Sequence, residues 1–126
     1  LFAVHKHLSR RNVSEVSKLT ENQKKLTPDV QHPLLRTHPL SKKKSLYINP
    51  NRIDHIVGFN DKESDKILDE LYEFSFNSKF QYSHIYRKGD LVIWDNRCTM
   101  HKANSNYNID ELRVMHRVML EGEKVF

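Results

Sequence analysis

The sequence predicts a mainly β domain with a few helices (α+β), whose strands form an antiparallel sandwich or barrel. Three observations favour this class: one strong amphipathic helix pattern in mid-chain, several short alternating runs around it, and no internal repeat or heptad. The 126 residues are 37% apolar and 29% charged, with three glycines and four prolines. This composition is typical of a globular domain and excludes collagen-like and low-complexity classes.

The first quarter of the chain predicts a helix and a connector. Leu1, Val4 and Leu8 lie at i, i+3 and i+7, the spacing of an amphipathic helix. The mixed, polar residues 9–31 predict an exposed connector with room for one short helix and a turn near Pro28. We therefore expect 1–31 to be a helical or connector segment and 32–126 to form the domain proper.

A strand pair is predicted next. Residues 34–37 lie between two His-Pro pairs, and each proline biases the preceding residue toward extended geometry. Three lysines at 42–44 mark a turn, and the β-rich run 45–49 ends at Pro50.

The central helix is predicted by its cap and by its apolar stripe. Asn60 with Glu63 three residues later forms a capping-box pattern. The apolar residues that follow fall on one helical face: Ile67, Leu68, Leu71 and Phe74.

The last third of the chain predicts strands. Residues 80–86 alternate, Gly89 marks a turn, and 91–94 form an apolar run. Residues 112–120 alternate again.

The charge is uneven along the chain. The net charge is +5, with ten basic and three acidic side chains in residues 1–50 against eleven and thirteen in 51–126. The basic half indicates either an anionic partner or a solvated helix and Lys-rich turn. The lysines have no interleaved aromatic platform, so we expect no nucleic-acid partner.

The cysteine count and the hydropathy indicate which sites and which compartment to expect. Cys98 is the one cysteine, which excludes an intrachain disulfide framework and a multi-cysteine zinc site. No apolar run approaches the roughly 20 residues that cross a bilayer, so no membrane association is expected. We expect a reducing, cytoplasmic location.

Residues 112–120 are the most informative segment, because alternate side chains of a strand point to opposite faces. One face carries Arg113, Met115, Arg117 and Met119, and the other carries Val114, His116, Val118 and Leu120. If the apolar face fills the core, the arginines are solvated. If the arginine face points inward, two guanidinium groups about 13 Å apart need anions from protein or ligand.

His101 ends the run that begins at Trp94. A lone histidine near the end of a strand is either a hydrogen-bonded structural residue or a metal ligand. The chain carries no H-E-x-x-H or zinc-finger spacing and no H-x-D or H-x-E, so any metal site within it is incomplete.

Four segments together carry a resemblance. They are the run 32–39, the run 46–50, Gly89 to Arg97 with His101, and Arg113 to Arg117. In this order and spacing, over residues 32–126, the chain resembles the taurine dioxygenase/TfdA family of iron(II)- and 2-oxoglutarate-dependent oxygenases.

The resemblance implies a double-stranded β-helix, a jelly-roll relative, with iron held by two histidines and one carboxylate. His101 matches the second histidine ligand, and Arg113 matches the arginine that pairs with the far carboxylate of 2-oxoglutarate. Arg117 matches an arginine that meets the anionic group of the substrate. Trp94 either lines the 2-oxoglutarate pocket or packs in the core.

The neighbours of these residues are given structural roles. Asp95 and Arg97 are expected to be partners of opposite charge at the end of a strand. Cys98 is expected to be a small core residue rather than a nucleophile.

The family's H-x-D ligands are absent from this sequence, which begins at Leu1 without an initiator methionine. We therefore expect the C-terminal part of an oxygenase that consumes 2-oxoglutarate and O2 with Fe(II), and no activity from this part alone. The implied substrate is a small sulfonate, sulfate ester or carboxylate, and the parent is expected to form a homodimer or homotetramer. The alternatives are a short non-catalytic jelly-roll paralogue and a basic binding module.

Overall fold

Two small antiparallel sheets and one long helix are the main elements in the described part of the protein. The computed structural model describes residues 1–7, 9–11, 20–104, 108, 110 and 112–122. Its elements in chain order are β1 (Phe2–His5), α1 (Glu21–Leu26), β2 (Val30–Pro33), β3 (Leu35–Thr37), β4 (Lys44–Leu46), β5 (Ile53–Ile56), α2 (Asp61–Ser75) and a 3-10 helix (Ser78–Phe80).

The first sheet has the strand order β2-β1-β5, with both pairs antiparallel. The helix predicted over residues 1–8 is therefore wrong at Phe2–His5, which form the central strand. Ala3 faces His32 on one side and Ile56 on the other and is fully buried. A short apolar run is compatible with a helix or with a buried strand, and here pairing with β2 and β5 makes it a strand. Leu8 lies outside the described residues.

The second sheet is the predicted hairpin, confirmed as β3 paired with β4. Leu35 faces Leu46, and Thr37 faces Lys44. The loop closes through His38 N to Lys43 O at 2.8 Å and Lys42 N to His38 O at 2.9 Å. Lys42 has φ 58°, so a lysine occupies the left-handed region that this turn requires.

The predicted connector contains the short helix α1, and β2 begins at Val30 before the connector was expected to end. Residues 12–19 of the predicted connector lie outside the described residues. Because β2 crosses residue 31 and β1 pairs with β5, the opening strands share one sheet with later residues.

The central helix α2 is confirmed together with its capping box. Glu63 N donates to Asn60 Oδ1 at 3.0 Å, and Asn60 N donates to Glu63 Oε2 at 3.3 Å. The helix buries Ser64, Leu68 and Tyr72. Ile56 N donates to Ser64 Oγ at 2.8 Å, which joins α2 to β5.

The hydrophobic core lies between the first sheet and α2. Its buried members come from β1, β5, α2 and the ends of the hairpin, and Leu46, Ile67 and Leu71 pack against them. They are Ala3, Leu34, Ile48, Ile53, Ile56, Leu68 and Tyr72.

An ionic cluster holds the segment after β1 against this core. Arg10 N donates to Asp54 Oδ1 at 2.8 Å, and the Arg10 and Arg11 guanidinium groups both bind Asp65. These hydrogen bonds, first that from Arg10, lower the pKa of Asp65. Burial opposes ionisation of Asp54, yet donors from Arg10, His55 and Lys6 still lower its pKa.

The strands predicted over 80–86, 91–94 and 112–120 are not formed: after Phe80 the described residues belong to no strand. The predicted turn does form, with Asp90 N donating to Arg87 O at 3.1 Å and Gly89 at φ 93°. An alternating run becomes a strand only when a neighbouring strand satisfies its N–H and C=O groups. Leu91 and Ile93 are each 84% exposed, because nothing covers them in the described part of the chain.

In the described part of the chain, no helix has both the length and the apolar character needed to cross a membrane.

Candidate functional site

The run from Trp94 to His101 folds as a tight turn built on Asp95. The Asp95 carbonyl accepts from Cys98 N at 3.2 Å, Thr99 N at 3.1 Å and Thr99 Oγ1 at 2.6 Å. The side chain of Asp95 also accepts from Arg97 N at 2.9 Å, the Asx pattern typical of turns. Both polar ends of one residue therefore set the path of the chain toward His101.

The Asp95 carboxylate is held by a guanidinium fork. Arg97 Nε lies 2.9 Å from Oδ1 and Arg97 Nη2 lies 2.6 Å from Oδ2, so the predicted partnership of these two residues is confirmed. Hydrogen bonds from Arg97 and from His38 place the pKa of Asp95 well below its usual range. The carboxylate is therefore ionised throughout the neutral range.

His38 reaches this carboxylate from the β3–β4 loop. Its Nε2 lies 3.0 Å from Asp95 Oδ2 across 57 residues of sequence, and its Nδ1 accepts from Ser41 N at 3.1 Å. Since Nδ1 is used as an acceptor, the hydrogen-bond network assigns the ring proton of neutral His38 to Nε2, which donates to Asp95. Sequence reasoning missed His38, because nothing local indicates so distant a partner.

His101, the predicted metal ligand, follows the turn and packs on Trp94. The two ring centroids are 4.9 Å apart at 51°, and Trp94 Nε1 donates to Asn96 Oδ1 at 2.9 Å. Trp94 is half-buried, whereas His101 is exposed. The tryptophan therefore forms one wall beside the imidazole.

Arg113 and Arg117 lie in the segment 112–122, which forms neither helix nor strand and whose residues are all exposed. On the apolar face Val118 is 86% and Leu120 92% exposed, so that face does not fill a core among the described residues. The structure therefore selects neither an inward-facing nor a solvated arginine face for a strand over 112–120. The convergence of Arg113 and Arg117 with His101 stays a prediction.

One group of three possible ligand side chains comes together among the described residues, namely His38, Asp95 and Cys98, with ligand atoms within 4.8 Å of one another. His101 is not in it. Cys98 is exposed, so its prediction as a core residue is wrong: the turn holds its thiol at the surface, 3.8 Å from the Asp95 carbonyl oxygen. The guanidinium of Arg97 already neutralises the carboxylate that a cation would need.

A second polar feature lies beside the first sheet. A cavity of about 250 Å³ is lined by His5, His32, Tyr47 and Arg52 among others. The His5 ring stacks on Tyr47 at 5.7 Å and meets His32 edge-on at 5.0 Å. Burial, and then the neighbouring His32, lower the pKa of His5 to about 4.

Two proteins of known activity are similar to this chain. An alpha-ketoglutarate-dependent 2,4-dichlorophenoxyacetate dioxygenase from Burkholderia sp. (strain RASC) is 36% identical over 124 residues, which are 98% of this chain and 41% of that protein. An alkylsulfatase from Acinetobacter baylyi is 35% identical over 95 residues, 75% of this chain and 29% of that protein.

The folds are similar as well. The crystal structure of AAD-2 in complex with Mn(II) and N-oxalylglycine matches with a TM-score of 0.68 and 30% identity. The match covers 77% of this chain and 35% of that one. The chain thus spans about two-fifths or less of the length of these relatives.

The family comparison covers nearly the whole chain. Residues 1–119 match the taurine catabolism dioxygenase TauD, TfdA family, a range that includes Trp94, the Asp95 turn, His101 and both arginines. The chain belongs to the TauD/TfdA family of dioxygenases.

Proposed function

We propose that this chain forms the C-terminal part of a dioxygenase that uses Fe(II), 2-oxoglutarate and O2 to hydroxylate a small anionic substrate. The observation that carries the proposal is the family match, which spans residues 1–119 and so includes His101, Arg113 and Arg117. In the complete enzyme, the segments 80–86, 91–94 and 112–120 would become strands of a double-stranded β-helix. The similarity to the crystal structure of AAD-2 in complex with Mn(II) and N-oxalylglycine supports this arrangement.

His101 is proposed as one iron ligand, since neutral imidazole suits Fe(II) and the ring is exposed beside Trp94. Among the described residues His101 has no pair of further ligands, so that part of the chain does not complete an iron site. The remaining ligands are assigned to an H-x-D segment outside this sequence. We therefore expect the 126-residue chain alone to be inactive.

Arg113 is proposed to hold the distal carboxylate of 2-oxoglutarate, with Trp94 lining that pocket. A planar guanidinium binds a carboxylate through two parallel charge-assisted hydrogen bonds, which fix the orientation of the cosubstrate. The bound iron and cosubstrate would supply the oxygen chemistry: one atom of O2 enters succinate, released with CO2, and the other hydroxylates the substrate.

Arg117 is proposed to bind the anionic group of the primary substrate. It lies four residues after Arg113, so in a strand the two side chains would share one face. The name of one relative includes 2,4-dichlorophenoxyacetate, an aryloxyacetate. The name of another, an alkylsulfatase, indicates a sulfate ester as its substrate. A carboxylate, sulfonate or sulfate ester therefore fits a single guanidinium as the recognised group.

The test uses the protein that carries this chain together with its H-x-D segment, called here the H-x-D protein. With Mn(II) bound, calorimetry should show that Arg113→Ala weakens N-oxalylglycine binding about 10- to 100-fold, the loss of a charge-assisted pair. In a succinate assay over sulfonates, alkyl sulfates and aryloxyacetates, Arg117→Ala should raise the substrate KM about tenfold or more and leave the 2-oxoglutarate KM within about twofold.

Arg87→Ala is the matched control, since Arg87 is an exposed arginine of the turn at Gly89. It should change neither affinity. Equal losses of both affinities in the two variants would contradict the separate roles. Absence of metal-dependent succinate formation in the unmodified H-x-D protein, with every substrate of the panel, would contradict the proposed activity itself.

A further inference from the structure

We propose that Asp95 and His38 are positioning residues for the metal ligand His101, a role that rests on the proposed function. Neither side chain is proposed to touch metal, cosubstrate or substrate. Their contact instead fixes the turn from which the imidazole projects.

The turn depends on Asp95 at both ends of the residue. Its carbonyl accepts hydrogen bonds from the Cys98 and Thr99 N–H groups and from the Thr99 hydroxyl, while its carboxylate accepts from the backbone N–H and the guanidinium of Arg97. The direction of the backbone is therefore set by residue 99, two positions before His101. Packing of the His101 ring on Trp94, the residue preceding Asp95, closes the arrangement.

His38 ties this turn to the ordered framework. The β3–β4 hairpin adjoins the core through Leu34 and Ile48, which are both buried, and Leu34 N donates to Leu1 O, next to β1, at 3.0 Å. The contact between His38 and Asp95 carries that rigidity to a segment that has no strand partners among the described residues. A metal ligand on a segment that lacks hydrogen bonds to a neighbouring strand needs such a side-chain contact to keep its position and orientation.

A metal ion held by His38, Asp95 and Cys98 is disfavoured on the same geometry. The assigned proton on His38 Nε2 leaves no lone pair facing Asp95, and the Arg97 guanidinium would lie against any cation bound to the carboxylate. Cys98 contributes only a long contact of 3.8 Å to the Asp95 carbonyl. Cys98→Ser is therefore the control that separates the two assignments.

The experiment measures metal binding and cosubstrate-analogue binding separately in the H-x-D protein. Asp95→Asn and His38→Ala should each weaken Mn(II) binding about 10- to 100-fold, the range seen for residues that orient ligands. N-oxalylglycine affinity at saturating Mn(II) should stay within about threefold. The double variant should lose no more than the stronger single variant, because both break one contact.

Two further variants decide between positioning and general stability. His38→Gln, whose amide can still donate to Asp95, should recover part of the Mn(II) affinity, and Cys98→Ser should leave it unchanged. Equal losses of Mn(II) and N-oxalylglycine affinity would overturn the positioning role. A loss of Mn(II) affinity in Cys98→Ser would overturn it in favour of a metal at His38.

A measurement on the 126-residue chain separates this inference from the proposed function. Hydrogen exchange of the Cys98 and Thr99 amides should speed up about tenfold or more in Asp95→Asn and in His38→Ala, with α2 unchanged. Unchanged exchange would show that Asp95 and His38 do not hold this turn, and would overturn the positioning role even if the proposed enzyme activity is confirmed. Faster exchange in these variants, with no metal bound by the unmodified H-x-D protein, would overturn the proposed function and with it the role toward His101.

Discussion

At the scale of single residues, His5 shows how packing changes proton affinity. Its ring is stacked on Tyr47 and meets His32 edge-on, and its Nε2 is buried without a hydrogen-bond partner in the described part of the chain. A cation there would lose hydration and face a second imidazole. Burial lowers the pKa of His32 too, and Arg36 lowers it further, so both rings are held neutral.

This environment predicts a loss of stability in mild acid. The pKa of His5 falls from 6.5 in the unfolded chain to about 4 in the folded one. Between these values the unfolded state binds more protons, so the free energy of unfolding should fall as the pH drops from about 6.5 to 4 and stay level above 6.5. His5→Gln should flatten this slope in urea titrations, with the exposed His7→Gln as control; equal slopes would refute the assignment.

The carboxylates of the ionic cluster affect stability in a different pH range. The pKa values of Asp54 and Asp65 lie below the ordinary 3.8, so the stability they contribute is complete above that pH and is lost only in stronger acid. The histidine and carboxylate effects are therefore separable on one pH curve.

At the scale of elements, α2 is the support on which the first sheet packs. Its capping box fixes the start of the helix, and Ser64, one turn further on, accepts the Ile56 N–H of β5. Leu68 and Tyr72 then continue the buried face. The helix start and the edge of the sheet are thus determined together.

Removing the cap should loosen this helix. Asn60→Ala should lower the free energy of unfolding by about 1 kcal/mol, since it leaves the Glu63 N–H without its acceptor. Asn60→Asp keeps an acceptor oxygen and should remain within a few tenths of a kcal/mol of the unmodified chain. Urea unfolding followed by circular dichroism measures both, and equal losses would show that capping is not the cause.

At the scale of the whole molecule, the helices and strands of the described residues all lie in the first two-thirds of the chain. Residues up to Phe80 contain the strands, helices and core that the structure describes, whereas the described residues beyond it form no helix or strand and are mostly exposed. Leu91, Ile93, Val118 and Leu120 present apolar surface of the kind that another layer of a barrel covers. This division agrees with a chain that covers about 41% of the length of a relative.

Amide exchange should report this division directly. In the 126-residue chain, amides of β1, β5 and α2 should exchange slowly and those of 91–94 and 112–120 quickly, since extended backbone without a partner strand is open to solvent. In the H-x-D protein the latter segments should become protected as strands form. Fast exchange there in both forms would contradict the proposed double-stranded β-helix.

The sequence by itself determined the features whose partners lie within a few residues. The α2 cap, the β3–β4 hairpin and the pairing of Asp95 with Arg97 all follow from local hydrogen bonds and spacing. Family membership was likewise carried by ordered motifs. Tertiary structure decided the rest: β1 is a strand because two distant strands pair with it, and His38 meets Asp95 across 57 residues. Periodicity records only which face is apolar, and distant partners decide what covers it.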